Sequence, residues 1–271
     1  MRGASRDSLA AGREALEAKL AERGTKPETV GQELFGVVGL LDGSAAVRRA
    51  LSDPSAAADS KSALAHRLLD GKVGTATADV VALLAQQRWA TATDLGDAVE
   101  DLAVQAVLAA AEKADRLDAL EDELFRFARL VAGDPHLRDA FSVRSPGADR
   151  KTELVADLLR GKVGDETLLL ATQGAVAPRG LRTEQALERY VEAAAARRRQ
   201  LVAHVVVARP LSDEHRSRLA AALERLYGRA PRLNVDVDPD VVGGLRVQVG
   251  GELVDGTMLS RLETARRRLA G

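Results

Sequence analysis

The chain has 271 residues, no cysteine, 29% charged residues and a formal net charge of −1. That length suits one large domain or two to three small ones, and the missing cysteine excludes disulfides and thiol catalysis and fits a reducing compartment. Near-neutrality argues against general nucleic-acid affinity, no apolar run approaches the ~18 residues that a membrane-crossing helix needs, and no secretory signal follows Met1 to Asp7. Aromatic residues make up only 3%, so the core must be Leu, Val and Ala, as in close-packed helices. Seven of the 39 basic residues are lysine, an arginine-heavy usage that reflects genome composition more than binding.

In chain order, residues 5 to 23 predict an amphipathic helix with Leu9, Leu16 and Leu20 on one face. Pro27 opens a second helix through Val30, Leu34, Val37, Val38 and Leu41. A short helix after Gly43 ends near Leu51 and is broken by Ser52-Asp53-Pro54. Lys61 to Leu69 is helical and closed by Gly71. Thr77 to Gln87 gives another helix, and Ala98 to Lys113 a long one. Further on, residues 183 to 201 form a helix carrying Leu187, Tyr190, Val191, Ala194 and Leu201. His204 to Ala208 is a strand stopped by Arg209-Pro210. Ser212 to Tyr227 is a capped helix burying Leu219, Leu223 and Leu226, and Leu233 to Val237 is a second strand.

The region between these stretches repeats the start of the chain. A shift of 90 residues places Glu33-Leu34-Phe35 on Glu123-Leu124-Phe125 and Asp59 and Lys61 on Asp149 and Lys151. It also places Leu68-Leu69 on Leu158-Leu159 and Gly71-Lys72-Val73-Gly74 on Gly161-Lys162-Val163-Gly164. Residues 30 to 77 give 20 identities in 48 positions without a gap, only two of them alanine, so alanine bias does not explain the match. Beyond the block it fades: Arg88 and Arg179 align with a one-residue slip, and the first helix matches residues 95 to 113 poorly. These features predict two copies of one helical module, each closed as a bundle, with the helix over 98–113 linking them. The expected architecture is α+β and predominantly helical: two tandem all-α bundle modules over residues 1–94 and 95–203, then a small α+β domain over 204–271.

The last stretch is the most informative. Val235, Val237, Val241, Val242, Leu245, Val247 and Val249 place apolar residues near every second position. Asp238-Pro239-Asp240 interrupts the ladder, because proline donates no hydrogen bond. Gly243-Gly244 permits torsions closed to other residues, and Gly250-Gly251 signals a hairpin turn. Asp255-Gly256-Thr257 leads into a helix capped by Thr257 or Asp255. That helix has Met258, Leu262 and Leu269 on one face and Arg261 and Arg266 to Arg268 on the other.

The ordered run Val237-Asp238-Pro239, Val242-Gly243-Gly244-Leu245, Val249-Gly250, Val254-Asp255-Gly256-Thr257, Leu259 and Leu262 resembles the C-terminal signature of the F-type ATP synthase delta subunit family. The mitochondrial counterpart of that family is the oligomycin-sensitivity-conferring protein. Asp238, Pro239, Gly243, Gly244, Asp255, Gly256 and Leu262 are then signature residues that build the fold and its interfaces, with no reactive role. The usual family member has one six-helix N-terminal domain and one such C-terminal domain. Residues 95 to 271 fit that plan, and residues 1 to 94 are an additional copy of the helical module. The resemblance implies a non-catalytic stator subunit without cofactor, peripheral on the cytoplasmic face of the cell membrane and not inserted into it. The helical domain of such a subunit binds N-terminal segments of the alpha subunits, and its C-terminal domain holds b-type peripheral-stalk helices, so that the head resists rotor torque. An apolar groove between the first and fifth helices of one module is the expected docking place, and the extra module is expected to engage the stalk.

The residues themselves show no catalytic constellation, cofactor loop or metal cluster. Gly71-Lys72-Val73 and Gly161-Lys162-Val163 lack the upstream glycine and following Ser or Thr of a phosphate loop, and read as helix stops. The glycines from 243 to 251 lie between strands, which removes the crevice a dinucleotide needs. His66, His136, His204 and His215 show no ligand spacing, and Asp236, Asp238 and Asp240 read as solvated charges flanking a turn. Arg197 to Arg199 and Arg266 to Arg268 sit near helix C-termini, where cations complement the macrodipole. Arg266 and Arg267 are also candidate contacts to an acidic partner, and Trp89, the single tryptophan, is either packed or an interface anchor. The rival reading is a helical nucleic-acid-binding regulatory factor, against which the near-neutral charge and β-containing tail both weigh.

Overall fold

A computed structural model describes residues 3–142, 147–200, 202–227, 232–238, 244–249 and 252–255. Contacts divide the chain into two compact units, Met1–Ala194 and Ala195–Gly271.

The first unit holds α1 (Ala4–Ala21), α2 (Pro27–Gly43), α3 (Ala45–Ser52), α4 (Ala58–Leu69), α5 (Thr75–Gln86), α6 (Ala92–Lys113), α7 (Leu117–Gly133), α8 (Pro135–Ala140), α9 (Ala148–Leu159) and α10 (Asp165–Val176), with most of α11 (Thr183–Gln200). The pairs α2 and α7, α4 and α9, and α5 and α10 begin and end 90 residues apart, so the duplication read from sequence is a duplication of structure. Local chemistry repeats with it. The Ser44 hydroxyl caps α3 by accepting from the Val47 amide (3.3 Å), and the Asp134 carboxylate caps α8 by accepting from His136 (2.7 Å) and Leu137 (3.3 Å). Gly71 and Gly161 stop α4 and α9 at φ 65° and 75°. Lys72 and Lys162 each fold back onto a carbonyl of the last turn, Leu68 (2.9 Å) and Leu158 (2.8 Å). The GKVG tracts are helix stops.

Shifted by 90 residues, α1 falls inside α6. The long helix is therefore the sixth of the first module and the first of the second, packing against α1, α2, α3 and α5 on one hand and α7 and α10 on the other. This explains why the repeat fades there. Helix α1 buries a single stripe, Ser5, Ser8, Gly12, Leu16 and Leu20, and leaves its other sides to solvent. Helix α6 buries the matching Leu95, Ala98, Leu102 and Ala106 and a second stripe of Val99, Ala103, Val107 and Ala111. A helix apolar on several sides is one that must be covered on several sides. It also begins six residues before the expected Ala98, because Thr91 and Asp94 form a capping box in which each side chain accepts from the other's backbone amide.

Helices α2 and α6 approach closely at Gly31, where a Cβ would stand 2.6 Å from Val107 Cγ2 and 3.3 Å from the Ala103 carbonyl oxygen. The first-module core includes Leu16, Leu34, Leu41, Leu84 and Leu102, all fully buried. In the second module Phe127 and Phe141 meet edge to face at 6.2 Å between centroids.

The second unit contains β1 (Val202–Val207), α12 (Asp213–Tyr227), β2 (Arg232–Val237), β3 (Leu245–Val249) and β4 (Glu252–Asp255), the strands ordered β2-β1-β3-β4. β1 pairs parallel with β2 through the α12 crossover and antiparallel with β3. β3 and β4 pair antiparallel with Val249 opposite Glu252, the spacing of the expected hairpin. Alternation buries Ala203, Val205 and Val207 of β1 with Val247, Val249 and Leu223. The α+β, mainly helical reading holds.

Because Val107 is β-branched and confined within the core, Gly31→Ala lowers stability by about 1–3 kcal/mol. Gly36→Ala on the same helix meets nothing within 4 Å and raises stability by about 0.5–1 kcal/mol. Urea midpoints moving in opposite directions are the expected outcome.

Candidate functional site

The seams between the first and fifth helices are fixed by polar contacts at their edges. Helix α1 lies against α5 through Gly12, which meets Leu84 and Leu102. At one end the Ser8 hydroxyl donates to the Arg88 carbonyl (2.7 Å), and the Ser5 hydroxyl donates to Asp94 (2.7 Å) while accepting from the Ala90 amide (2.8 Å). At the other end Lys19 bridges Asp79 of α5 (2.8 Å) and Glu22 (3.0 Å), and both carboxylates hold the ammonium pKa above its ordinary value. Half-buried Ala11 and Ala15 lie one turn apart on α1, as half-buried Leu83 and Gln86 do on α5.

The corresponding seam of the second copy, between α6 and α10, is met by the first copy. Helix α2 touches α10, and Asp101, which stands where α1 has Ala11, is held by Arg13 of α1 at 2.8 and 2.6 Å. The two copies are tied most firmly at Arg179, in the loop between α10 and α11. It sits at φ 49°, a left-handed conformation uncommon for a side-chain-bearing residue. Its guanidinium, 11% exposed, reaches Asp42 of α2 (2.9 Å) and Asp97 (3.0 Å) and Glu100 (3.2 Å) of α6. Glu100 also accepts from the Tyr190 hydroxyl of α11 at 3.1 Å. Burial, then the Glu100 charge, pushes the Tyr190 pKa upward. Gly96 makes the room, since a Cβ there would lie 2.8 Å from Arg179 Nη2. Arg88, the slipped counterpart of Arg179, is exposed. Sequence reading missed this cluster, whose trace is Gly96 and Glu100 interrupting the otherwise apolar buried positions of α6 at one-turn spacing.

Two lysines, Lys61 and Lys151, are buried at matching positions. Their ammonium groups donate to the carbonyls of Gln87 and Phe141, both at 3.0 Å, and burial lowers both pKa values. Trp89 is 6% exposed and its indole N–H donates to the Leu84 carbonyl at 2.9 Å, so it is packed, and the residue borders a surface cavity beside Asp53 and Pro54.

In the C-terminal unit Asp238 continues the ladder, its amide donating to the Val207 carbonyl at 2.9 Å. Gly244 enters β3 at φ 107°, a torsion that requires glycine. Asp255 ends β4 opposite Arg246. Pro239, Gly243, Gly256, Leu262, Arg266 and Arg267 lie outside the described residues, as does the helix expected after Asp255.

The described part of the chain is thus two helical bundles fused through a common helix, followed in the chain by a four-stranded α+β unit. A model of the ATP synthase delta (OSCP) subunit family matches residues 104–269. The chain is 51% identical over 269 residues to ATP synthase subunit delta of Kineococcus radiotolerans, covering 99% of this chain and 98% of that one. Over 271 residues and the whole of both chains it is 45% identical to the Streptomyces griseus subunit delta and 46% to that of Beutenbergia cavernae. The chain belongs to the ATP synthase delta (OSCP) subunit family. The family match begins inside α6 and leaves most of the first module outside, whereas these relatives run alongside that module too. Nothing in these likenesses supports the nucleic-acid reading.

Arg179→Ala strips Glu100 of its guanidinium while leaving it buried, so stability falls by about 3–5 kcal/mol. Glu100→Gln in that background recovers part of the loss, and Arg88→Ala leaves the denaturation midpoint nearly unchanged.

Proposed function

We propose that this chain is a stator component of F-type ATP synthase, tying the catalytic head to the peripheral stalk and resisting rotor torque without chemistry of its own. The observation that carries this reading is the full-length likeness to delta subunits. The helical unit takes N-terminal segments of the alpha subunits, and the C-terminal unit, with Asp238, Gly244 and Asp255 in its signature, holds the ends of b-type helices. The subunit sits peripherally at the cytoplasmic face of the membrane. No single helix among the described residues is long and apolar enough to cross a membrane, which agrees with that placement.

The division into residues 1–94, 95–203 and 204–271 is retained as a division of tasks. The second copy, which the family model matches, has its first-to-fifth-helix seam met by α1 and α2 of the first. In the first copy α1 and α5 pack on each other and on the shared α6, and Ala11, Ala15, Leu83 and Gln86 stay half-buried. The head segment is therefore assigned to α1 and α5, along Ala11, Ala15, Leu83 and Gln86. This reverses the sequence-based expectation that the extra module grips the stalk.

Binding of the full chain to ATP synthase heads stripped of this subunit tests both parts. Ala15→Glu with Leu83→Asp is expected to weaken binding by about tenfold or more, the loss of an apolar helix anchor, while Gln173→Asp on α10 leaves it unchanged. The reverse pattern moves the contact to the second copy. A wild-type chain that ignores the heads removes the stator reading.

A further inference from the structure

The repeat lets one copy be compared with the other, and at one place they differ by a missing guanidinium. In both, a glutamate of the second helix holds the start of the fifth. Glu33 accepts from the Gly74 amide at 2.9 Å and from the Thr77 hydroxyl; Glu123 accepts from the Gly164 amide at 3.2 Å and the Thr167 hydroxyl at 2.6 Å. In the second copy the outer side of that carboxylate is filled. The Arg116 guanidinium lies 3.4 Å from Glu123 and 3.8 Å from Glu166, stacked over Gly164 so closely that a Cβ there would fall 2.1 Å from Nη2.

The first copy keeps the carboxylate and loses what fills it. Arg116 corresponds to Lys26, Glu166 to Ala76, and the only atoms within 4 Å of a Cβ on Gly74 belong to Glu33 itself. What remains is a cavity of about 330 Å³ between the end of α1 and the starts of α2 and α5, with Glu22, Thr25, Thr29, Glu33 and Thr75 among its walls. Lys26 lines it without entering any ion pair found among the described residues, and Lys19 is already engaged by Glu22 and Asp79. A lysine ammonium is a point charge and does not reproduce the flat, forked fit of a guanidinium.

We propose that this cavity is a receptor for an arginine side chain presented by a partner polypeptide, which pairs with Glu33 as Arg116 pairs with Glu123 within the chain. Glu22 at the rim replaces Glu166 as the second carboxylate, and the threonine hydroxyls accept the remaining N–H groups. The site stands on the geometry of the two copies and holds whether or not the partner is the catalytic head.

The test is a nuclear magnetic resonance titration of the ¹⁵N-labelled full chain with N-acetyl-arginine methylamide, read at the amides of Gly74, Thr75 and Thr77. Saturable shifts are expected there, with Gly164 to Thr167 unmoved. The citrulline analogue, equal in shape and uncharged, is expected to bind about tenfold more weakly or worse. Lys26→Arg with Ala76→Glu rebuilds the second copy's arrangement in the first, preserves the spectrum elsewhere and abolishes the response. The proposal is overturned by equal binding of citrulline, by a double variant that still titrates, or by no saturable shift. Free arginine binding about tenfold tighter than the blocked form would make this a metabolite pocket and overturn the polypeptide source.

Discussion

Helix α6 must be enclosed from more than one side at once, and most of the first unit follows from that requirement. Its buried stripes cannot be covered by α1 and α2 alone, so α7 and α10 pack onto what would otherwise be an exposed apolar face. Burial at about 25 cal/mol per Å² makes leaving such a face open costly, and the loss would fall on both bundles together. The helices of both copies accordingly belong to one compact unit through Ala194. The Gly31 approach of α2 to α6 belongs to the same constraint, since two backbones that pack tightly leave no room for a side chain between them.

Polar groups then fix the angle between copies that apolar packing leaves loose. Arg179 is held by carboxylates from α2 and α6, and Glu100 by a phenol from α11, so a relative slide of either copy breaks several directional contacts. Hydrogen bonds of this kind add modestly to net stability and strongly to uniqueness. For a chain in a family of torque-bearing subunits, stiffness between the parts is the useful property, and here it comes from a charged cluster sealed against one helix.

Much of this was legible in the chain. The 90-residue repeat predicted a second copy of the helical module, and three pairs of helices keep that spacing in the structure, while valine alternation with paired glycines pointed to the sheet and its hairpin. The glycine at 244 was readable because only glycine adopts its torsion. That the helix over 98–113 links the modules was legible, but that it completes both bundles was not, because a repeat search seeks similarity and a helix with two jobs is driven away from similarity by the second. The Arg179 cluster was hidden for another reason. Its members lie up to 137 residues apart, and ionic partners that meet only in space leave no periodic trace. Thr91 and Asp94 were a readable start signal that was passed over.

The common helix also sets the grammar by which such a chain can lengthen or shorten. One period is five helices, since each sixth is the next copy's first. Size therefore changes in increments of a whole period, and any severance near residue 94 orphans a bundle on one side of the cut. A fragment of the first 94 residues would carry five helices around a vacancy shaped like α6, and the most natural tenant of that vacancy is a helix borrowed from another molecule.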